Sequence, residues 1–417
     1  MTLPLFVLLL LVVAASAYVA ARARATASVG GDRRKLTSLP NSYGLNAAFA
    51  AAIPALGLIV VWLLLGRVST QTEIFAFFRP LAERPQLLIA ISALLAVGGF
   101  AYGIARATPG FRARIAAERW ILVLLISAAS VAILTTLGII LSMLFETANF
   151  FGKYSWTEFF FGLTWSPDFR GNSQLGLLPL LWGTLYISLV ALLVSVPVGL
   201  LAAIYMSEYA NPRFRSFAKP AIEVLAGIPT IVYGLFALIT VGPVLRDWFA
   251  IPMGLGESGS SVMTAGLVMG VMLIPFVSSL SDDIINSVPQ SLRDGSLGLG
   301  ATPSETIRRV VLPAALPGIV GAVLLAASRA IGETMIVVLG AGAAAAQFKE
   351  GIGEVVNPFQ AMTTITVKIV SQLTGDTDFA APETLVAFAL GLTLFVFTLG
   401  LNVLALYIVR KYREQYE

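Results

Sequence analysis

The sequence predicts an all-α polytopic membrane protein, and three observations lead there. Apolar residues make up 57% of the chain and charged residues only 12%, with a mean hydropathy of +0.86, so most of the folded surface meets lipid. The apolar residues fall in runs long enough to cross a hydrocarbon core of about 30 Å, which takes roughly 20 residues at about 1.5 Å of rise each. The basic residues, in turn, collect in alternate loops.

Nine such runs are expected to span the bilayer, at residues 3–21, 47–66, 87–105, 121–145, 180–206, 221–245, 262–280, 314–340 and 385–409. The segments 22–35, 106–119, 213–219, 293–309 and 410–413 hold eighteen Lys or Arg, against eight on the other side. Cytoplasmic loops keep such an excess, which puts the amino terminus outside and the carboxyl terminus inside. The net charge of +4 therefore reflects orientation; the basic residues form no stripe of the kind that binds nucleic acid. The chain has no Cys and no His, so disulfides, thiolate nucleophiles, imidazole bases and the usual soft metal ligands are excluded. Neither a catalytic nor a metal-binding residue is expected.

The first run has a small-residue stretch, Ala14-Ala15-Ser16-Ala17, that resembles a signal-peptide cleavage region. No positive charge precedes Leu3, however, and Arg22 and Arg24 follow the run as an anchor, so a retained helix is expected. A domain boundary is expected near Arg119, separating three spans in 1–119 from six in 120–417. Pro179, Pro197, Pro229, Pro243 and Pro275 sit in or beside the later spans, where ordinary kinks are expected. Gly199, Ala202, Ala203, Gly266 and Gly270 suit close helix contact. The stretch 355–373 is too short for a span and contains Asn357, Pro358 and Lys368. It reads as a re-entrant or surface helix on the outer side, with a buried loop helix as the alternative.

The cytoplasmic loop at about 281–313 is polar and reads as two short helices. Ser287 with Gln290, and Thr302 with Glu305, each fit a capping box, and Pro303 occupies a first helical position where its missing donor costs nothing. Gly300 suits the left-handed residue that ends the first helix. Leu292, Leu299, Ile307, Val310 and Val311 supply apolar contact points, which either dock a partner or pack on the membrane and the chain itself.

Behind this loop, Arg329 and Glu333 lie inside an apolar run. A lone charge near the bilayer centre costs about 2.5 to 3.5 kcal/mol on translocon-type scales, so such residues point to function. The two are four apart, hence expected on one helix face, with Arg329 about 22 Å along the helix from Ala314. A salt bridge that merely locks helix packing is the alternative.

The run Asp294-Gly295-Ser296, three residues, Gly300, nine residues, Val310, one residue, Leu312-Pro313 resembles the EAA loop of ABC-importer permeases, Glu-Ala-Ala, three, Gly, nine, Ile, one, Leu-Pro. The spacing matches throughout; the departures are Asp for Glu, Gly and Ser for the two Ala, and Val for Ile. Gly295 should weaken its helix by roughly 0.5 to 1 kcal/mol relative to Ala. Gly183-Thr184-Leu185-Tyr186, Ser207-Glu208-Tyr209, Lys219-Pro220-Ala221-Ile222-Glu223, Gly227-Ile228-Pro229, Val232-Tyr233-Gly234 and Arg329-Ala330-Ile331-Gly332-Glu333-Thr334 resemble permeases of the phosphate-specific (Pst) importer. Met335-Ile336-Val337 is closer to the PstC type than to PstA.

The resemblance covers roughly Arg119 to the end. It implies a six-span type I ABC-importer permease core with three extra amino-terminal helices, as in long PstC-type proteins. It further implies a homologous PstA-type permease, two PstB-type ATPases and a PstS-type periplasmic phosphate-binding protein as partners, in a bacterial inner membrane. Asp294, Gly295, Ser296, Gly300, Val310, Leu312 and Pro313 would couple to the ATPases. Arg329 and Glu333 would bind substrate, since a guanidinium fork suits phosphate oxygens. No Gly-x-x-x-x-Gly-Lys-Ser/Thr loop occurs, so ATP and Mg are expected on the partner subunits and no cofactor on this chain. An ABC permease for phosphonate or sulfate stays open, because these anions also offer paired oxygens. A secondary transporter would need coupling carboxylates in several spans, and a membrane enzyme a catalytic apparatus that the spans lack.

Overall fold

A computed structural model of the chain describes residues 3–71, 85–168, 171–348, 351–375 and 381–413. Among the described residues, nine helices are long and apolar enough to cross a membrane. The outer-side charges Arg79, Arg84, Arg170 and Lys349 lie outside the described residues. The chain forms two compact units, Met1–Gly138 and Ile139–Glu417, which divide inside one helix.

The first unit contains α1 (Leu3–Ala27), α2 (Pro40–Gln71), α3 (Pro85–Ala105) and the start of α4 (Ala113–Phe151). Small residues bring the first three together. Ala17, Ala21 and Ala25 of α1 and Ala47 and Ala51 of α2 are buried in one cluster. A Cβ on Gly99 of α3 would lie 2.0 Å from the Ala50 carbonyl oxygen, so α2 and α3 touch backbone to backbone. The Tyr43 hydroxyl donates to the Phe111 carbonyl at 3.0 Å and ties the turn before α4 to α2.

The second unit continues with α5 (Trp156–Phe161), α6 (Leu178–Tyr209), α7 (Pro212–Ala226), α8 (Thr230–Ala250) and α9 (Val262–Asn286). Then come α10 (Gln290–Gly298), α11 (Pro303–Ile331), α12 (Met335–Gly340), α13 (Ile352–Val356), α14 (Ile365–Gly375) and α15 (Pro382–Arg413). Its centre is α9. Gly266 and Gly270 press on α6, where an added Cβ would meet Val190 Cγ1 at 2.5 Å and Val194 Cβ at 2.7 Å. Gly199 does the same in reverse against Val277, at 2.9 Å. These glycines make the close helix contact their size predicts. A second core gathers Phe150, Phe159, Leu175 and Leu180 with Ile365, Leu385 and Leu390. It includes the only sheet among the described residues, Trp165–Ser166 paired antiparallel with Gln174–Leu175.

Three expectations need correction. The run 221–245 is not one helix: α7 is capped at Gly227, and α8 begins anew after Pro229. Proline pushes the preceding residue, Ile228, out of the helical region, so Pro229 separates two helices and kinks neither. Pro197 and Pro275 do lie inside helices. The run 314–340 is also divided, with α11 ending at Ile331 and α12 starting at Met335. Finally, 355–373 takes the buried alternative. Thr363, Ile365 and Val367 are buried, Trp182 Nε1 donates to the Val355 carbonyl at 2.8 Å, and the Ile365 amide donates to Thr184 Oγ1 at 3.0 Å.

Candidate functional site

The elbow expected from the polar loop is built from α10 and the start of α11. Its first helix starts at Gln290 after Pro289, and Ser287 is no capping box; its hydroxyl donates back to the Ile284 carbonyl at 2.7 Å. The residue before a proline is disfavoured in helical dihedrals, which favours a helix start after Pro289 over one at Val288. The second box forms as the spacing predicts: the Glu305 amide donates to Thr302 Oγ1 at 3.3 Å and the Thr302 amide to Glu305 Oε2 at 3.0 Å, with Pro303 at the first position.

Gly300 has φ +89°, the left-handed conformation that ends α10 and turns the chain. On α10, Asp294 Oδ1 accepts from Gln290 Nε2 at 3.0 Å, Gly295 has open space around it, and Ser296 Oγ bonds Thr306 Oγ1 at 2.9 Å, joining the two helices. Val310 lies in a wide π turn, Ile307–Val311, which leads into Leu312 and Pro313. The structure thus brings all seven predicted coupling residues onto one elbow. Ile307 and Val311 face inward and are buried, Val311 among Ala203, Ile285, Val288 and Ala315. Leu299 at the tip is 91% exposed, with Leu292 and Leu297 also exposed, an apolar tip left uncovered among the described residues.

Charges that the sequence reading did not assign brace the elbow. Arg293 of α10 forms an ion pair with Glu208 at the end of α6, both largely shielded, and its Nη2 donates to the Ile285 carbonyl of α9 at 2.8 Å. Beside it, the fully buried Asp282 of α9 accepts from Arg215 Nη2 at 2.9 and 3.0 Å, from Lys219 Nζ at 2.9 Å and from Asn286 Nδ2 at 2.9 Å. The hydrogen bond to Asp282 raises the Lys219 pKa above its usual value. Single-sequence reading misses these pairs because their members are distant along the chain; the only signal is a basic loop facing acidic helix ends.

Deeper in the chain, the break between α11 and α12 separates Arg329 from Glu333. Arg329 is in the last turn of α11, exposed, with its guanidinium 5.6 Å from the centre of the Phe276 ring on α9. Glu333 lies past the helix end. Its Oε1 accepts from the amides of Thr334 and Met335, both at 3.1 Å, and so caps α12. Its carbonyl accepts from the Thr366 hydroxyl of α14 at 2.9 Å. Among the described residues no ion pair joins Arg329 to Glu333, which corrects the expectation of one helix face; Gly332 ends the helix between them. The break therefore leaves a guanidinium that no carboxylate among the described residues pairs with, beside irregular backbone in an otherwise apolar run.

A bundle with a solvent-facing apolar elbow, joined to a broken charged span, defines the class: a multi-pass transport permease. Residues 195–414 match the family described as binding-protein-dependent transport system inner membrane component. Residues 7–84 match the family described as phosphate ATP-binding cassette transporter. The chain is 37% identical over 254 residues to the phosphate transport system permease protein PstC 1 of Mycobacterium tuberculosis, covering 57% of this chain and 72% of that one. It is 31% identical over 303 residues to the phosphate transport system permease protein PstC of Mesorhizobium japonicum, covering 68% and 88%. A solved bacterial alginate ABC transporter aligns with TM-score 0.48 and 16% identity, over 71% of this chain and 96% of that one. The chain belongs to the binding-protein-dependent inner membrane components and, among them, to the PstC-type permeases.

Proposed function

We propose that this chain is one of two permease subunits of an ATP-driven importer of inorganic phosphate in a bacterial inner membrane, with its carboxyl terminus in the cytoplasm and its amino terminus in the periplasm. The observation that carries this is its relationship to PstC-type permeases over 88% of one relative's length. A PstA-type permease completes the pathway, two PstB-type ATPases dock on the elbow, and a PstS-type protein delivers phosphate from outside. ATP and Mg act on the ATPases, and this chain binds neither. Residues 1–119 form an extension to the six-span core at 120–417.

In this reading the exposed Leu299 tip seats in an ATPase cleft. Nucleotide-driven closure moves the elbow, and α11, continuous from Pro303 to Ile331, carries the movement to the break. Arg329 offers planar donors to phosphate oxygens. Glu333 holds the start of α12 through its two amide contacts and so fixes the backbone beside the anion. The ATPases bias a two-state permease and supply none of its ligand contacts.

The test is uptake of labelled phosphate by the reconstituted complex with sulfate or phosphonate as competitor. Phosphate uptake that excess sulfate and phosphonate leave intact supports the reading, and strong competition by either reassigns the anion. Arg329→Ala and Arg329→Lys are expected to lose uptake while the complex still assembles; normal uptake by both refutes the role of Arg329.

A further inference from the structure

We infer that the Arg293–Glu208 ion pair anchors a second transmission arm, in which α6 carries movement of the elbow to the broken span independently of α11. This inference rests on the importer reading above.

The arm can be followed bond by bond. At the cytoplasmic end, Arg293 on α10 holds Glu208 in the final turn of α6, with side chains only 14% and 12% exposed. Away from water the pair is weakly screened, and a planar guanidinium resists both separation and rotation of its partner. The apolar contacts nearby, Ala203 of α6 with Ile285, Val288 and Val311, can slide. The ion pair gives the same junction a direction.

From Glu208, which lies in a π turn at Tyr205–Tyr209, the helix runs back to Thr184, about 35 Å at about 1.5 Å per residue or slightly less in the turn. Along this length it is seated on α9 through Gly199, Gly266 and Gly270, which keep it in register despite Pro197. At the far end, Thr184 Oγ1 accepts from the Ile365 amide at 3.0 Å, at the start of α14. One residue on, the Thr366 hydroxyl donates to the Glu333 carbonyl at 2.9 Å, within the break. Gly183 is packed so closely on the Thr363 carbonyl that an added Cβ would lie 2.2 Å from its oxygen. The elbow is thus joined to the residues beside Arg329 by two routes, α11 directly and α6 through α14.

The experiment uses the full complex in proteoliposomes and reads two quantities, ATP hydrolysed and phosphate taken up. Arg293→Gln and Glu208→Gln are expected to leave assembly and ATP hydrolysis in place while phosphate moved per ATP falls about tenfold. Arg293→Lys, which keeps the charge but loses the fork, should fall between. Thr366→Val removes the hydroxyl at the other end with little change in shape and should lower the same ratio. If one arm contains both sites, Glu208→Gln with Thr366→Val is no worse than the worse single change.

A ratio within twofold of wild type in Arg293→Gln and Glu208→Gln overturns the arm, as does a double variant whose losses multiply. If the Gln variants fail to assemble, the absence of native cysteine allows Glu208→Cys with Arg293→Cys, bridged by a short bis-thiol reagent. Bridging should raise phosphate moved per ATP severalfold over the unbridged pair, and no rise overturns the proposal. A wild-type complex that hydrolyses ATP but moves no phosphate overturns the importer reading itself.

Discussion

Removing the Asp282 carboxylate should destabilise the second unit. Its side chain is fully buried, while Arg215 and Lys219 keep 34% and 29% of their side-chain surface. Breaking a buried ion pair costs about 3 to 5 kcal/mol when the remaining charge stays buried. Here both cations can rehydrate on their open sides, which lowers the expected cost of Asp282→Ala to about 2 to 3 kcal/mol. Asp282→Asn keeps the shape and an acceptor oxygen and should cost about 1 to 2 kcal/mol.

The assay is equilibrium unfolding of the purified protein in mild detergent, titrated with denaturant, where about 2.5 kcal/mol is a change of roughly 70-fold in the folded-to-unfolded ratio. The gap between wild type and Asp282→Ala should shrink little as salt rises, because the carboxylate is out of water. A loss under about 0.5 kcal/mol, the range of an unremarkable surface change, refutes the assignment of Asp282 as the node joining α7 to α9.

Leu299→Asp should leave stability within about 0.5 kcal/mol, since the side chain is 91% exposed, but abolish co-purification of the ATPases. Gly270→Val should destabilise by at least about 1 to 3 kcal/mol through overpacking, because an added Cβ already lies 2.7 Å from Val194 Cβ; melting of the detergent-solubilised protein reads this. The Lys219 pKa is raised above 10.5 by its bond to Asp282. Its contribution is therefore complete below the unfolded value and lost only as pH rises through the higher folded value, so the stability gap between wild type and Lys219→Met should be flat from about pH 6 to 9 and close above about 10.5.

The spans were legible because length and apolarity survive any packing arrangement, and the elbow because its caps are local. Thr302, Glu305 and Gly300 interact within a few residues, so spacing alone specifies them. What was missed depends on tertiary contact or on one residue overriding a run. The break after Ile331 has no proline to mark it, and the Thr366 bond to the Glu333 carbonyl comes from a segment 33 residues away. The Arg293–Glu208 pair links residues 85 apart. The ends at Gly227 and before Gln290 were readable in principle, since Pro229 and Pro289 each disfavour a helical residue before them, but apolar continuity and a capping pattern masked that signal.

The π turn at Ile307–Val311 makes the root of α11 wider and shorter per residue than the helix above it. Rewinding those five residues as ordinary helix would lengthen the rod by about 1.5 Å and rotate everything above it by roughly 90 to 100°. Val311, now seated against Ala203 and Ile285, would be pulled from its socket. Its burial therefore opposes any rewinding of this turn and holds the face of α11 that carries Arg329 in the orientation the structure shows.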